Sequence, residues 1–233
     1  KQKTAYEILS GLVGSEMCIR DRKCLRHAVG GDVWIVAPGE EASECGHHIT
    51  TRRPLKLEQR RDREWAVFGS PADCVRVAVK YLFPSVAFDW VFSGVNQGGN
   101  LGVDIYYSGT VAAVREATLL GVKSVAFSHY IKRRLPIDWS IASDRVRHMI
   151  SEVSDKPIKK GEFWNVNLPH LEDGAPEPMV KYCEPCKEPL PVGFKGNQSE
   201  ASYTGSYQDR LRREGSDTDC CFGGDITASL IKV

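Results

Sequence analysis

The chain has 233 residues, of which 42% are hydrophobic and 26% charged, a composition typical of one globular domain with a sizeable core. Its 31 Lys and Arg residues and 30 Asp and Glu residues leave a formal charge of +1, which argues against nucleic-acid or membrane-surface partners, because both need a concentrated basic excess. We find neither an apolar run approaching the roughly 20 residues that span a bilayer nor a secretory signal, so we expect a cytoplasmic protein.

Strands and helices alternate along the first two thirds of the sequence. The run Asp32–Pro38 is apolar and partly β-branched, which predicts a strand buried on both faces of a parallel sheet. Cys24–Gly31 before it has helical spacing, and a helix leading into such a strand implies an earlier strand upstream. Similar patterns predict, in chain order, a strand Glu64–Gly69, a helix from Ser70, a strand Phe88–Gly94, a helix Val111–Leu120, a strand Ser124–Ser128, a helix Ser140–Val153, and strands at Phe163–Pro169 and 225–233.

This alternation predicts an α/β protein with a Rossmann-like, doubly wound and mostly parallel sheet. Residues 172–188 are rich in Pro and Glu and are predicted to be loop. Residues 194–219 are polar with few apolar anchors, which is typical of a long hairpin. We therefore expect an arm, at about residues 180–220, that projects from the C-terminal part of the domain.

The eight cysteines are irregularly spaced, which favours free thiols over a disulfide framework. Cys183 and Cys186 form a CxxC pair, and Cys220 and Cys221 could complete a zinc site with them. Without a second CxxC or a well-spaced His pair, loop cysteines with no function are the favoured interpretation.

Ser93–Val114 is unusually rich in glycine, which indicates close approach of a ligand to the main chain. It is not a Walker A loop, because Asn100 and Leu101 stand where Lys and Ser or Thr are required. It is not a dinucleotide fingerprint, because Gln97 occupies the first glycine position and the helix starts too late.

A metal-and-phosphate pocket at the carboxyl end of the sheet remains. Asn96 lies two residues beyond a predicted strand, and its amide oxygen is a hard neutral ligand of the kind that Mg²⁺ or Mn²⁺ accepts. Ser108, Gly109 and Thr110 stand at the start of the next helix, where N–H groups and the helix dipole can hold an anion. The alternative is that Ser108 or Thr110 only caps the helix and that the glycines make turns.

The stretch from Ser93 to Gly121 closely resembles the signature of the SurE (survival protein E) family of metal-dependent 5'/3'-nucleotidases, and the resemblance runs from about Lys23 to the C-terminus. Weaker supporting matches are Val36–Thr50, Gly69–Val75, Asn165–Pro169 and Gly215–Asp219. The resemblance implies a Rossmann-like domain whose arm mediates homodimers or homotetramers. It also implies hydrolysis of nucleoside 5'- and 3'-monophosphates with one divalent cation, Mg²⁺ or Mn²⁺, which lowers the pKa of bound water.

In the family the cation is held by an Asp-Asp pair, a serine and an asparagine. By position, the resemblance assigns the serine to Ser43 and the metal asparagine to Asn96. It assigns Asn100, with Ser108, Gly109 and Thr110, to the phosphate pocket.

Four further side chains stay open. Asp73 is favoured as a helix-cap carboxylate, and Asp104 faces the pocket or stabilises its loop with equal weight. His47 and His48 have the chemistry of general bases, but the sequence shows no partner for either, so both are unassigned.

The first 22 residues depart from the family, which begins with a strand followed by Asn-Asp-Asp-Gly. Residues 1–22 hold no Asp-Asp, and their only acids are Glu7, Glu16 and Asp21, so no catalytic acid is identified. They also closely resemble translated sequencing-adapter read-through. We therefore interpret them as an artefact that replaces the first strand, the metal loop and part of the first helix, with Tyr6–Gly14 able to stand in for the strand.

On this interpretation, residues 23–233 are a single nucleotidase domain that lacks its metal loop. A dication held only by a hydroxyl and an amide has no anionic ligand to offset its dehydration, so we expect impaired activity. The alternative is a non-catalytic nucleotide- or phosphate-binding protein that has lost the acids. An NAD-type oxidoreductase needs a proper GxGxxG, which the chain does not have.

Overall fold

The computed structural model describes residues 6–7, 32–40, 45–132, 135–172 and 174–233, so the predicted helix Cys24–Gly31 and the candidate ligand Ser43 lie outside the described residues. Eleven strands are described. They are β1 (Tyr6–Glu7), β2 (Ile35–Pro38), β3 (Leu57–Arg61), β4 (Glu64–Val67), β5 (Trp90–Gln97), β6 (Lys123–His129), β7 (Glu162–Leu168), β8 (Val180–Tyr182), β9 (Phe194–Gly196), β10 (Ala201–Tyr203) and β11 (Ile226–Lys232).

Four α-helices connect or cover these strands in the described part of the chain. They are α1 (Pro71–Val77), which continues into a π-helical turn Ala78–Leu82, α2 (Gly109–Leu119), α3 (Trp139–Ser154) and α4 (Asp217–Gly223). Short 3-10 helices occur at Gly102–Tyr106 and Tyr207–Asp209. Across the described ranges, none of the helices combines the length and the apolar composition that a membrane span needs.

The main sheet has the order β3-β4-β2-β1-β5-β6-β7-β11-β8. Its six central strands, from β4 to β7, are all parallel, and the order reverses between β1 and β5. This is the doubly wound arrangement, and it confirms the predicted fold class. Because open α/β sheets bind ligands where the strand order reverses, the carboxyl ends of β1 and β5 are where a site is expected.

β1 occupies the first-strand position although it has only two residues. Glu7 pairs with Ile35 of β2 on one side and with Phe92 of β5 on the other. Part of Tyr6–Gly14 therefore stands in for the first strand, as the sequence allows. The residues that follow it in the sequence, beginning with Ile8, include no acid before Glu16.

Helices cover both faces of the sheet and divide the core. The face under α3 buries apolar side chains of β5, β6 and β7, including Phe92 and Phe127. On the opposite face, α1 and α2 pack over the strands with a second cluster that includes Val75 and Ala113. Strands buried on both faces explain the continuous apolar runs from which the sequence predicted them.

Two strands escape sequence analysis because they lie away from the parallel centre. β3 is polar and half-buried or exposed, and it pairs antiparallel with β4 at the sheet edge. β8 falls inside residues 172–188, which were predicted to be loop; that prediction is wrong because β8 pairs in parallel with β11. β9 and β10 form a separate antiparallel hairpin with every residue exposed, within the predicted arm.

Gly94 gives a test of how tightly β5 packs on β6. Its φ is +116°, and a Cβ added there would lie 2.1 Å from the Phe127 carbonyl oxygen. We expect Gly94→Ala to lower the midpoint of thermal unfolding strongly, or to prevent soluble folding, since main chain cannot move aside as a flexible side chain can.

Gly121→Ala is the matched control. Gly121 also has a positive φ, +85°, but a Cβ added there would meet no other described atom within 4 Å. It therefore carries the backbone strain without the clash, and its unfolding midpoint should fall much less. Equal losses in the two variants contradict the role assigned to the β5–β6 contact.

Candidate phosphate-binding site

β5 extends into the glycine-rich stretch beyond its predicted end at Gly94. Asn96 and Gln97 still pair with Ser128 and His129 of β6, so the prediction that Asn96 lies beyond the strand is wrong. Asn96 nevertheless lies at the carboxyl end of β5. Its Nδ2 donates to the Gly98 carbonyl at 2.8 Å, which leaves Oδ1 as the oxygen available to a ligand.

Two asparagines of β7, Asn165 and Asn167, are hydrogen-bonded to the main chain of Asn100. Its N–H donates to Asn167 Oδ1 at 2.8 Å, and its carbonyl accepts from Asn165 Nδ2 at 2.8 Å and from Asn167 Nδ2 at 3.1 Å. Its own Nδ2 donates to Ser128 Oγ at 2.6 Å. All four residues are buried. Since Ser128 is also the pairing partner of Asn96 in the sheet, both candidate asparagines are neighbours of the same residue of β6.

Ser108, Gly109 and Thr110 form the start of α2. Ser108 is the N-cap, and its Oγ accepts from the Val111 N–H at 3.1 Å, so helix capping by Ser108 is confirmed. Capping uses an oxygen lone pair and leaves the hydroxyl hydrogen able to donate. N–H groups of the first turn point out of this end of the helix, where its dipole favours an anion. The cap and a phosphate-holding role are therefore compatible.

A clamp, formed by the buried residues Asp104 and Arg210 and the half-buried Tyr207, fixes the loop between β5 and the start of α2. The Asp104 carboxylate accepts from Leu101 N–H at 3.0 Å, from the Tyr207 hydroxyl at 2.7 Å and from Arg210 Nη1 at 2.7 Å. Arg210 Nη2 also donates to the Leu101 carbonyl at 3.1 Å. Burial opposes the charge of Arg210, but the hydrogen bond to Asp104, the Asp104 charge and Tyr207 together outweigh it and raise the pKa of Arg210. Of the two roles left open for Asp104, these contacts support loop stabilisation.

Asp217, at the start of α4, holds the same loop from another direction. Its carboxylate accepts from the Gly102 N–H and from the Cys186 N–H, each at 2.7 Å. It is fully buried, and burial raises its pKa above the ordinary value. In the sequence, only the weak match at Gly215–Asp219 points to this role, because Gly102 and Cys186 are far from Asp217 along the chain.

His47 has a partner that sequence analysis did not find. Its Nε2 lies 2.8 Å from Glu116 Oε2, and Arg76 Nη1 lies 3.4 Å from Glu116 Oε1. Glu116 is a buried residue of α2, so this contact ties the segment that follows residues 41–44 to the helix. Ser43 belongs to residues 41–44 and so lies outside the described structure.

Asp73 has the cap role that the sequence favours. Its Oδ2 accepts from the Ser70 N–H at 3.0 Å, and Ser70 Oγ accepts from the Asp73 N–H at 3.1 Å, which completes a capping box. Its Oδ1 accepts from the Thr50 N–H at 2.8 Å. Burial raises the pKa of Asp73, but these hydrogen bonds outweigh it and the net shift is downward. Ser70 also donates to the His48 carbonyl at 2.5 Å, so this pair fixes the 48–50 segment.

The donor set at the carboxyl edge is poor in negative charge. Among the described residues, no group of three or more His, Cys, Asp or Glu side chains could hold a metal ion, and this includes the four cysteines considered for zinc. Asn96 contributes a neutral oxygen, and a divalent cation also needs anionic ligands to offset its dehydration. The described residues therefore do not by themselves fit a divalent cation.

Two neutral histidines border a cavity of about 670 Å³ beside this edge. His129 ends β6, and its ring lies 5.5 Å from that of His170 in an edge-to-face arrangement. His129 Nδ1 hydrogen-bonds the Tyr130 carbonyl at 2.7 Å. Burial is the main cause that lowers the pKa of His129 to about 4, and it lowers the pKa of His170 as well. At neutral pH, this wall therefore offers uncharged hydrogen-bonding groups.

Comparisons with known proteins agree with the geometry. Residues 19–189 match the family model described as Survival protein SurE. The chain is 46% identical over 212 residues to alr3139 of Nostoc sp. (strain PCC 7120), which carries a provisional 5'-nucleotidase name, and the match covers 91% of this chain and 93% of that protein. It is also 46% identical over 162 residues to the 5'-nucleotidase SurE of Brevibacillus brevis, covering 65% and 60% of the two chains. The crystal structure of the SurE protein from Aquifex aeolicus superposes with a TM-score of 0.80 and 26% identity, over 97% of this chain and 93% of that one.

The Asp104 clamp predicts that a single substitution, Asp104→Asn, strongly lowers the free energy of unfolding. Asp104→Asn keeps the shape of the side chain but leaves the buried guanidinium of Arg210 without its anion. We expect the free energy of unfolding, measured in urea, to fall by about 3 kcal/mol. Asp144→Asn removes an exposed carboxylate paired with Arg147 and should change it little. Similar values for the two variants contradict the clamp.

His129 predicts a pH dependence. Its pKa is lower in the folded protein than the ordinary 6.5, so between pH 6.5 and about 4 the unfolded chain binds the extra proton. Its contribution to stability is present above pH 6.5 and is lost as the pH falls towards 4, by about 3 kcal/mol in all. We expect His129→Gln to show a flatter fall in unfolding free energy over this window.

The control for His129→Gln is the same substitution at a histidine that is not buried. His148 lies at the same cavity but is exposed, so His148→Gln should follow the pH profile of the unmodified chain. If His129→Gln keeps the full slope, groups other than His129 cause the acid sensitivity.

Proposed function

The chain belongs to the SurE family, and on this basis we propose that it descends from a phosphomonoesterase that hydrolyses nucleoside 5'- and 3'-monophosphates to nucleoside and phosphate. By family it is a nucleotidase-type phosphatase, since the relatives that match it are named 5'-nucleotidases.

One observation supports the proposal most strongly. Asn96 pairs with Ser128 in the sheet, Asn100 donates to Ser128 Oγ, and the loop that follows them leads into the capped start of α2. A phosphate group at this point could accept from N–H groups of the first turn, around Gly109 and Thr110, and from the Ser108 hydroxyl. We propose that these residues orient the phosphoryl group for attack by water.

The same proposal assigns a divalent cation, Mg²⁺ or Mn²⁺, to Asn96 Oδ1, to Ser43 and to an Asp-Asp pair at the end of the first strand. This chain has no Asp-Asp anywhere in its sequence. β1 ends at Glu7, and Ile8, Leu9, Ser10 and Gly11 follow it. We infer that residues 1–22 are not the native start of the domain and that this chain binds the cation weakly.

A non-catalytic nucleotide- or phosphate-binding protein is the second candidate. It is favoured by one specific observation, that the hydrogen bonds described around Asn100 and at the start of α2 join residues within 100–167 to one another and need no metal-binding acid. Phosphate binding and catalysis can therefore be lost separately.

The remaining parts of the proposal concern assembly and location. The hairpin of β9 and β10 exposes Phe194 and Tyr203, which supports an arm that joins two or four copies of the chain. The described cysteines are all free thiols, which supports a cytoplasmic location.

Three substitutions directly after β1 test the proposal. Ile8→Asn, Leu9→Asp and Ser10→Asp together create Asn-Asp-Asp-Gly, because Gly11 is already present. Without them we expect little Mn²⁺-dependent release of phosphate from AMP, and with them a rise of at least about 100-fold, since metal-assisted attack needs the anionic ligands. The measurement is colorimetric phosphate release at fixed Mn²⁺.

The control places asparagine at all three positions, so that size and polarity are kept and only the charge is missing. It should release no more phosphate than the unrepaired chain. If the unrepaired chain is already fully active, the carboxylate assignment is wrong. If the repaired chain neither hydrolyses AMP nor binds it in calorimetry, the nucleotidase proposal is wrong.

A further inference from the structure

Two thiols meet at the base of the arm. Cys183 directly follows β8, and its N–H donates to the Ala228 carbonyl of β11 at 3.3 Å. The next residue, Glu184, accepts from the Asp217 N–H at 3.0 Å, which docks the start of α4 on this segment. Cys220 lies one helical turn after Asp217 and so shares its face of α4. The backbone contact between Glu184 and Asp217 brings the two thiols near each other, and each affects the ionisation of the other.

Both thiols of this pair are within reach of a small molecule. Cys183 and Cys220 are half-buried, whereas Cys186 and Cys221 are buried. Cys186 also lies apart in its contacts, because its Sγ is 3.7 Å from the Leu211 carbonyl. The CxxC spacing in the sequence therefore does not mark the reactive pair.

We propose that Cys183 and Cys220 are a modification site that forms a reversible intramolecular disulfide by exchange with a small disulfide such as oxidised glutathione. The Cys220 thiolate attacks one sulfur of the oxidant and releases the first glutathione. The Cys183 thiolate then attacks Cys220 Sγ and releases the second. Two cysteine thiols are oxidised, one glutathione disulfide is reduced, and the two protons end on the two glutathione thiols.

The pH dependence of this exchange follows from the thiols. Burial raises the pKa of both, that of Cys183 to about 12, so little thiolate is present at neutral pH. Exchange is therefore slow near pH 7 and becomes faster as the pH rises towards 9.

The disulfide closes residues 184–219 into a loop. That loop contains the β9–β10 hairpin and also Tyr207 and Arg210 of the Asp104 clamp. A covalent bond between β8 and α4 restricts the unfolded chain and fixes the arm at its base. The modification therefore stabilises the loop of the candidate site from its far side.

The experiment uses the full chain in reduced and oxidised glutathione at pH 8.5. We expect peptide mapping by mass spectrometry to find Cys183 linked to Cys220, together with an unfolding midpoint that rises by several degrees and returns on addition of dithiothreitol. Cys183→Ser and Cys220→Ser should each remove the link and the rise.

Cys186→Ser is the matched control, since it breaks the CxxC pair and should leave the link intact. A bond between Cys183 and Cys186, or a Cys220 that stays as a mixed disulfide with glutathione, overturns the proposal. So does an oxidised chain whose Cys183 and Cys220 are alkylated as fast as in the reduced chain. A mapped link that leaves the unfolding midpoint unchanged contradicts the stabilisation of the arm.

Discussion

The central constraint on this structure is that Asn100, Leu101 and Gly102, where β5 connects to a short 3-10 helix, are buried at the carboxyl edge of the sheet. Buried main-chain N–H and C=O groups need hydrogen-bond partners, and an isolated loop has no ladder to supply them. Here, side chains from separate parts of the chain supply these hydrogen-bond partners individually. Asn165 and Asn167 serve Asn100, Asp104 and Arg210 serve Leu101, Asp217 serves Gly102, and Tyr207 serves the Gly99 carbonyl at 3.3 Å.

In this arrangement, the hydrogen bonds that fix the loop are distinct from the acids that would bind a cation. The described bonds that fix Asn100 and its neighbours come from β7, α4 and the segment around Arg210. Loss of the acids that a cation needs therefore leaves these bonds in place. β1 supplies the backbone pairing that the sheet requires between β2 and β5.

The sequence predicts the fold better than it predicts the contacts of the site. Buried parallel strands such as β6 appear as apolar runs, and Ser70 with Asp73 indicates the start of α1, because both signals are local. β3 and β8 show no such signal, since β3 is polar and β8 is a three-residue strand that pairs with β11. Arg210 was placed in a polar arm, but it is buried against Asp104, a pairing across 106 residues that no local pattern encodes.

That long separation has a consequence for how the protein is made. Domains form during synthesis from the N-terminus onwards, and contacts between distant residues form late. The central strands leave the ribosome well before Tyr207, Arg210 and Asp217. Until those residues emerge, the loop at Leu101 has polar groups without partners and the nascent sheet lacks β11 beside β7. Formation of the site is therefore coupled to completion of the chain. In a ribosome-bound or truncated product, the glycine-rich loop lacks the hydrogen-bond partners that come from the C-terminal part.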